Sequence, residues 1–159
     1  MYILSIDPGL EKLGFCIFNF EKCRPETYGL ISTSCYENKF ERISKIKKEL
    51  LKLFNRYNPK FVAVEKIFFN KNIKTAIQIG EIIGIILSIC VDKKIKFFEF
   101  TPQQVKVALT GYGKAEKIQV QRMVKQLLDL KKIPEPDDVA DAIAIGYCLI
   151  VNLKARKLI

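Results

Sequence analysis

The sequence predicts an α/β fold in which a mixed five-stranded sheet is flanked by helices. Three β-rich segments open the chain, two more strand patterns alternate with helical ones, and helical patterns fill the second half. A chain of 159 residues can bury one core but has no room for a second independent domain. We therefore expect a single domain at residues 1–153, followed by a short basic tail at residues 154–159.

The first three strands are expected at residues 2–7, 14–20 and 27–32. The apolar run of the first strand ends in Asp7-Pro8-Gly9, which is typical of a core strand stopped by a turn. A polar stretch separates the second strand from the third, as in an antiparallel meander. Asp7 should therefore lie at the carboxyl end of the first strand.

A helix and a buried strand follow. Between residues 38 and 57, apolar side chains recur at helical spacing with Lys, Arg and Glu between them, which predicts an amphipathic helix. The run Phe61-Val62-Ala63-Val64-Glu65 then shows the continuous apolar pattern of a buried strand. Glu65 ends its strand much as Asp7 ends the first, so the two acids should occupy equivalent strand ends.

The rest of the chain is predicted to be mostly helical. Residues 73–91 are apolar nearly all round, so this helix should be either fully buried or part of a subunit interface, and Gly80 and Gly84 leave it a smooth face. Asp137, which follows Pro136, is expected to be the N-cap of the last helix. The remaining elements are expected to be a strand at 95–100 and helices at 102–109, 115–130 and about 138–152.

Charge and composition indicate a nucleic-acid partner and limit the possible chemistry. Lys and Arg number 27 against 17 Asp and Glu, a formal net charge of +10 that should attract polyanions. The chain has no histidine, which excludes histidine-based triads and zinc sites of the His-Glu-x-x-His type. Catalysis would have to use carboxylates, lysines, hydroxyls or a metal ion.

The cysteines and the apolar runs favour a cytoplasmic protein. The five cysteines are odd in number and show no Cys-x-x-Cys spacing, which argues against a disulfide framework or a zinc knuckle. The longest apolar run, at residues 82–91, is too short to cross a bilayer, and the N-terminus lacks a signal-peptide pattern. We expect a protein of the reducing cytoplasm without a membrane span.

Four acids are the candidate catalytic residues. Asp7 and Glu65 end core strands, while Asp138 and Asp141 stand one helical turn apart on one face of the last helix. Grouped carboxylates repel one another unless a cation lies between them, and Mg²⁺ prefers oxygen ligands of this kind. Two such ions can activate water and stabilise the leaving oxygen in phosphodiester hydrolysis.

Each acid taken alone also has a simpler explanation. Asp7 could merely begin its turn, and Glu65 could be a surface residue. Asp138 and Asp141 could be helix caps or dipole partners, and for Asp137 a capping role is the favoured explanation. Only the four acids as a group therefore support a catalytic interpretation.

Five motifs together resemble the RuvC family of crossover junction endonucleases. They are Ile6-Asp7-Pro8-Gly9, Val64-Glu65-Lys66-Ile67-Phe68, Gln103-Gln104-Val105-Lys106, Gly113-Lys114-Ala115-Glu116-Lys117 and Asp138-Val139-Ala140-Asp141-Ala142. Their order and spacing agree with the family over nearly the whole chain, to about residue 150. Asp-Pro-Gly alone would be a weak signal, whereas the five segments together are specific.

The resemblance implies an RNase H-like fold and a magnesium-dependent nuclease that cuts four-way DNA junctions. It assigns Asp7, Glu65, Asp138 and Asp141 as the catalytic, metal-binding quartet, with two Mg²⁺ ions at each site and Mn²⁺ as a substitute. It also implies a homodimer whose subunits nick opposing strands symmetrically in homologous recombination and DNA repair. The RuvA–RuvB branch-migration complex is the further partner that it suggests.

The resemblance also nominates residues that contact DNA. Phe68 matches the aromatic residue that stacks on bases of the unfolded junction, and Phe69 is a second candidate for that role. Lys106 and Lys117 match lysines near the scissile phosphate, where an ammonium group can offset developing negative charge. Further contacts with phosphates are expected from Lys114 and Arg122.

Two alternatives stay open. Another RNase H-like nuclease, of the RuvX type, would share the metal site but act on other nucleic acids, and the segment around Phe68 and the two lysines favour the resolvase over it. A non-catalytic junction-binding domain would keep the fold and the charge without cleavage, but four acids in register argue against this.

Overall fold

The computed structural model of the protein describes residues 1–67 and 73–155. Its elements follow the predicted order of three strands, then a helix, a strand, a helix, a strand and three helices. They are β1 (Tyr2–Asp7), β2 (Lys12–Asn19), β3 (Arg24–Ser32), α1 (Lys39–Tyr57), β4 (Phe61–Glu65), α2 (Ile73–Asp92), β5 (Lys96–Phe100), α3 (Pro102–Thr110), α4 (Lys117–Leu127) and α5 (Asp137–Ala155).

The five strands form one mixed sheet, as the sequence predicts, in the order β3-β2-β1-β4-β5. Strands β1, β2 and β3 pair antiparallel, whereas β4 pairs parallel with both β1 and β5. In the parallel ladder Ile6 lies opposite Val64, so β1 and β4 end side by side. Asp7 and Glu65 are consequently neighbours at one edge of the sheet.

Helices cover both faces of the sheet because successive residues of the central strands point to opposite sides. On β1, Ile3 belongs to the apolar cluster that contains α3, α4 and α5. Leu4 and Ile6 belong to the second cluster, which α1 and α2 complete. The sheet therefore lies between two helical layers, and its carboxyl-terminal edge stays open between them.

Helix α5 approaches the sheet so closely that two glycines are needed at the contact. A Cβ atom at Gly14 would lie 2.0 Å from the carbonyl oxygen of Asp138, and one at Gly146 would lie 2.4 Å from the ring of Phe18. Gly14 itself pairs with Asp7 in the β1–β2 ladder. This packing brings the first turn of α5 against the strand end that carries Asp7.

Helices α4 and α5 differ in their bounds from the sequence prediction. Helix α4 spans Lys117–Leu127 and not residues 115–130, and at its start the backbone N–H of Glu116 donates to Oε1 of Gln119 at 2.8 Å. Helix α5 begins at Asp137, which is therefore its first helical residue and not its N-cap, and it continues to Ala155, beyond the domain boundary placed at residue 153.

Helix α2 is half-buried, so of the two arrangements expected for it, full burial and a subunit interface, the first is excluded. Ile82 and Ile86 are completely buried in the core, whereas Ile73, Ile77 and Val91 on another face are exposed. Of the described helices, α2 alone is long and apolar enough to cross a membrane by length and composition, and 33% of its most apolar window is buried. The longest apolar run of the sequence, at residues 82–91, covers only the second half of this helix. The buried face of the helix belongs to the core with α1 and β1.

Candidate active site at the carboxyl ends of β1 and β4

The fold brings the four predicted acids to one place. Asp7 and Glu65 end the adjacent parallel strands β1 and β4, and Asp138 and Asp141 lie in the first two turns of α5. The contact at Gly14 holds this end of α5 against β1 and β2. The backbone therefore positions all four carboxylates, and no side-chain bond between them is needed.

Asp7 shows the strongest electrostatic effect of this grouping. The pKa of Asp7 is raised from 3.8 to about 7, first by burial and then by the charges of Asp141, Glu65 and Asp138, against an opposing effect of Lys117. Near neutral pH a proton therefore binds this carboxyl group more readily than it binds an ordinary aspartate. A strongly perturbed acid beside other acids is typical of a functional site.

Two other members of the quartet respond in the same direction. Burial raises the pKa of Glu65, with the charge of Asp141 adding to the effect and Lys117 and Lys106 opposing it. Burial also raises the pKa of Asp141, although its ion pair with Lys117 lowers it in part. The site thus carries more negative charge than its surroundings stabilise.

Lys117 is a cation in direct contact with this charge. Its Nζ lies 3.1 Å from Oδ2 of Asp137 and 3.3 Å from Oδ2 of Asp141. Burial alone would lower the pKa of Lys117, but its hydrogen bonds to Asp137 and Asp141 outweigh that effect and raise it. Gln121, one turn further along α4, donates from Nε2 to Oδ1 of Asp137 at 2.8 Å.

Asp137 therefore holds Lys117 in place, a role that was not predicted from the sequence. Its pKa is lowered first by the hydrogen bond from Lys117 and then by the hydrogen bond from Gln121, so it stays ionised as an anchor for the lysine. The sequence did contain a signal, because Asp137 and Asp141 are four residues apart on one helix, as are Lys117 and Gln121 on another.

Lys106, the second predicted lysine, also lies at the site. It is half-buried on α3 and lines a cavity of about 220 Å³ together with Glu65, Asp141 and Lys117. The rest of the cavity lining is apolar. It consists of Pro102, Val105, Val120 and Ala144.

A second cavity adjoins the quartet at Asp138. It has a volume of about 470 Å³ and lies between the turn after β1, helix α1 and the beginning of α2. Asp138 lines this cavity, and Lys12 and Arg42 are its cations. Glu65 and Asp141 thus line one cavity and Asp138 lines the other, and among the described residues each cavity has two positively charged side chains.

The other predicted DNA-contacting residues fall into two groups. Lys114 is exposed in the turn before α4, and Arg122 is exposed on α4, five residues beyond Lys117 and hence on a different side of the helix. Phe68 and Phe69 lie outside the described residues.

The chemistry of the donors fits a divalent cation that prefers oxygen ligands. Within residues 1–67 and 73–155, no three Asp, Glu, Cys or His side chains are already arranged around a common metal position. Mg²⁺ usually takes only one or two carboxylates and keeps several waters, so pairs from the quartet can hold it. A cation there would also relieve the repulsion that raises the pKa of Asp7.

Asp7→Asn should stabilise the metal-free protein at alkaline pH. The pKa of Asp7 is raised in the folded protein, so its destabilising effect is absent below about pH 4, grows toward pH 7 and is fully present above it. Thermal unfolding in EDTA at pH 8 should show a gain of roughly 1–4 kcal/mol for the variant. Near pH 4.5 the gain should shrink.

Asp92→Asn, which removes an exposed acid at the end of α2, is the matched control and should change stability by less than about 0.5 kcal/mol. An unfolding temperature for Asp7→Asn at pH 8 that equals or falls below that of the wild type would contradict mutual repulsion in the folded site.

The whole chain resembles proteins of one family. A family model described as crossover junction endodeoxyribonuclease RuvC matches residues 3–149. A protein of that name from Halothermothrix orenii is 48% identical over 150 residues, which cover 93% of this chain and 91% of the relative. One from Caldicellulosiruptor saccharolyticus is 44% identical over 155 residues, with 96% and 93% covered.

The fold also resembles solved structures of this family. The structure of Thermus thermophilus RuvC matches with a TM-score of 0.88 and 32% identity, covering 98% of this chain and 97% of that one. The T. thermophilus protein in complex with a Holliday junction substrate matches with the same TM-score over 99% of this chain and 96% of that one. The RNase H-like fold is therefore confirmed. This chain belongs to the RuvC family of crossover junction endodeoxyribonucleases.

Proposed function

We propose that this protein is a structure-selective DNA endonuclease that resolves Holliday junctions by paired symmetric nicks in homologous recombination and DNA repair. The observation that carries the proposal is the convergence of Asp7, Glu65, Asp138 and Asp141 beside Lys106 and Lys117 in a member of this family. Family membership makes the chain a hydrolytic nuclease, and the solved complex of its Thermus relative supports four-way junction DNA as the substrate.

The four carboxylates are proposed to hold the metal on which nucleases of this family depend. Mg²⁺ is the ion that their oxygen donors suit best, with two ions at each site and Mn²⁺ able to replace it. When bound, these ions would supply activation of the attacking water and charge compensation at the leaving oxygen. Asp7, Glu65, Asp138 and Asp141 are thus the proposed metal ligands.

The chain's own cations are proposed to hold the scissile phosphate. Lys106 and Lys117 line the cavity that also contains Glu65 and Asp141, so an ammonium group can bind a phosphate oxygen as negative charge develops on it. The apolar wall of the cavity limits the access of bulk water. Lys114 and Arg122, both exposed, would add salt-sensitive contacts with the backbone.

The exposed face of α2 supports a homodimer. Its apolar and glycine residues recur at intervals of four and three, which is the spacing of a helix seam that packs against another helix. A Cβ atom at Gly84 would meet nothing within 4 Å, so the centre of the face is open to a partner. The α2 stripe consists of Ile73, Ile77, Gly80, Gly84, Leu87 and Val91.

Several further assignments belong to the proposal. Residues 1–153 would act as one nuclease domain with residues 154–159 as a basic tail. All five cysteines are free, which supports a location in the reducing cytoplasm. The RuvA–RuvB branch-migration complex is the proposed partner that would deliver junctions.

Cleavage of a mobile four-way DNA junction tests the proposed function. With Mg²⁺ the protein should make symmetric nicks confined to the junction, and with EDTA it should make none. A linear duplex and an RNA–DNA hybrid of the same sequence are the comparison substrates and should not be cut. Asp7→Asn should abolish cutting and leave junction binding intact or improved, because one negative charge facing phosphate is removed.

Asp92→Asn is the control for charge loss in this assay and should cut normally. Cleavage of duplex or hybrid at a similar rate would favour a general nuclease of the RuvX type. Tight junction binding without any cleavage would favour a non-catalytic binding domain. Loss of binding in step with cutting in Asp7→Asn would contradict its role as a metal ligand.

Phe68 is proposed to stack on an unpaired base of the junction, and Phe69→Ala is its matched control. Stacking positions the strand for attack, so Phe68→Ala should lower the cleavage rate roughly 10- to 100-fold and the affinity less. Single-turnover cleavage and a binding titration separate the two effects. An unchanged rate in Phe68→Ala with a reduced rate in Phe69→Ala would assign the stacking to Phe69.

Ile77→Glu should separate the proposed dimer into monomers, because it places a charge in the middle of the α2 stripe. Val107→Glu on α3 is the control, since Ile77 and Val107 are similarly exposed at 54% and 51%. Sedimentation at micromolar concentration should show a dimer for the wild type and the control, and single unpaired nicks should replace paired ones in Ile77→Glu. A monomeric wild type would overturn the dimer.

A further inference from the structure

We infer that the cavity beside Asp138 binds a backbone phosphate of the cleaved strand next to the scissile one, with Arg42 as its main anchor. This inference rests on the proposed function, because its ligand is the DNA strand that the quartet cuts. We call this cavity the Arg42 groove. Gly9, Lys12, Arg42, Gln78 and Asp138 are among the residues that line it.

The position of the groove gives the first argument. Glu65 and Asp141 face the cavity that contains Lys106 and Lys117, whereas Asp138 faces the Arg42 groove. A strand whose scissile phosphate lies at the carboxylates has to continue in both directions. Its two flanking segments then need two openings. One segment would pass Lys106 and Lys117, and the other would pass through the Arg42 groove.

The state of the Arg42 side chain gives the second argument. The guanidinium is mostly buried, with 13% of the side chain exposed, and its Nε donates to Oγ1 of Thr33 at 2.8 Å. Its Nη2 is closed to solvent and has no hydrogen-bond acceptor among residues 1–67 and 73–155. The ion pair of Nη2 with Oε1 of Glu11 is long, at 3.9 Å. A buried charged donor without an acceptor is costly, and at a functional cleft it indicates an anionic ligand.

The charges around the groove define the ligand class. Lys12 and Arg42 are its cations and Glu11 and Asp138 its acids. Glu11 is 71% exposed, so its side chain can rotate into solvent and leave Nη2 to another oxygen. Asp138 is a proposed metal ligand, so its charge would be compensated during cleavage. The planar guanidinium then suits two oxygens of one phosphate better than an ammonium group would.

A purely structural role for Arg42 is the competing explanation. Thr33 accepts from Arg42 and donates from Oγ1 to the carbonyl oxygen of Leu10 at 2.6 Å, in the turn that follows Asp7. Arg42 could thus act only by steadying this turn. Loss of such a role on mutation would slow cleavage. The role would not make cleavage depend on the charge of one particular phosphate.

Junctions that carry a single methylphosphonate distinguish the two roles. The modification removes the charge of one phosphate, and it is placed in turn at each of three phosphates on either side of the cut. Wild-type cleavage should fall roughly 10- to 100-fold at one flanking phosphate on the side away from the lysines. Arg42→Gln should cut the unmodified junction more slowly than the wild type by a similar factor. A methylphosphonate at that same phosphate should then lower its cleavage rate no further.

The outcomes separate this inference from the proposed function. Arg56→Gln, at the other end of α1, removes the same charge from an exposed site and should keep the wild-type pattern. If Arg42→Gln remains as sensitive as the wild type at every phosphate, the groove does not bind phosphate through Arg42. If the wild type does not cut the unmodified junction, the proposed function itself fails.

Two further variants keep the test decisive. Arg42→Lys keeps the charge but not the planar group, so it should retain only part of the sensitivity at the identified phosphate, and it replaces Arg42→Gln if that variant does not fold. Thr33→Val removes the acceptor of Nε and the bond to Leu10 but leaves the guanidinium in place. It should keep the wild-type methylphosphonate pattern, and loss of the pattern in Thr33→Val alone would assign Arg42 the structural role.

Discussion

Repulsion among four half-buried carboxylates is the constraint on which the rest of this structure depends. Free side chains with like charges would move apart, and burial makes their repulsion stronger because it removes the screening by water. Burial first and then the charges of the neighbouring acids raise the pKa of Asp7 to about 7. The surrounding fold has to supply enough backbone rigidity to keep the acids together.

Backbone contacts supply that rigidity. The parallel ladder between β1 and β4 places Asp7 beside Glu65, and the glycine contact between β2 and α5 places Asp138 next to them. Neither contact involves the carboxylates themselves. The carboxylates can therefore bind other groups, as Asp141 binds Lys117, while the energy that holds them in place comes from strand pairing and from the two apolar clusters.

Much of this arrangement could be predicted from the sequence because its signals are local. An apolar run that ends in an acid defines a strand end, and a spacing of three defines a shared helix face, so the convergence of the quartet follows once the fold is known. The network around Lys117 was only partly visible, since its contacts with Asp137 cross from one helix to another.

The contacts of Arg42 could not be predicted, because they join α1 to Thr33 and to the turn after Asp7 across distances in sequence that no motif encodes. The face of α2 that stays exposed could not be predicted from the sequence either. A sequence apolar on all sides of a helix does not reveal which side the core leaves uncovered.

The ion pairs of Lys117 give the free protein its own counter-ion. The ammonium group bridges Asp137 and Asp141, and Gln121 keeps Asp137 in place from the neighbouring turn of α4. When Asp141 turns toward another cation, Lys117 can remain on Asp137 and stay within the site. In the protein without metal, Lys117 thus compensates part of the charge of these acids, and its ammonium group already lies in the cavity beside Glu65 before DNA binds.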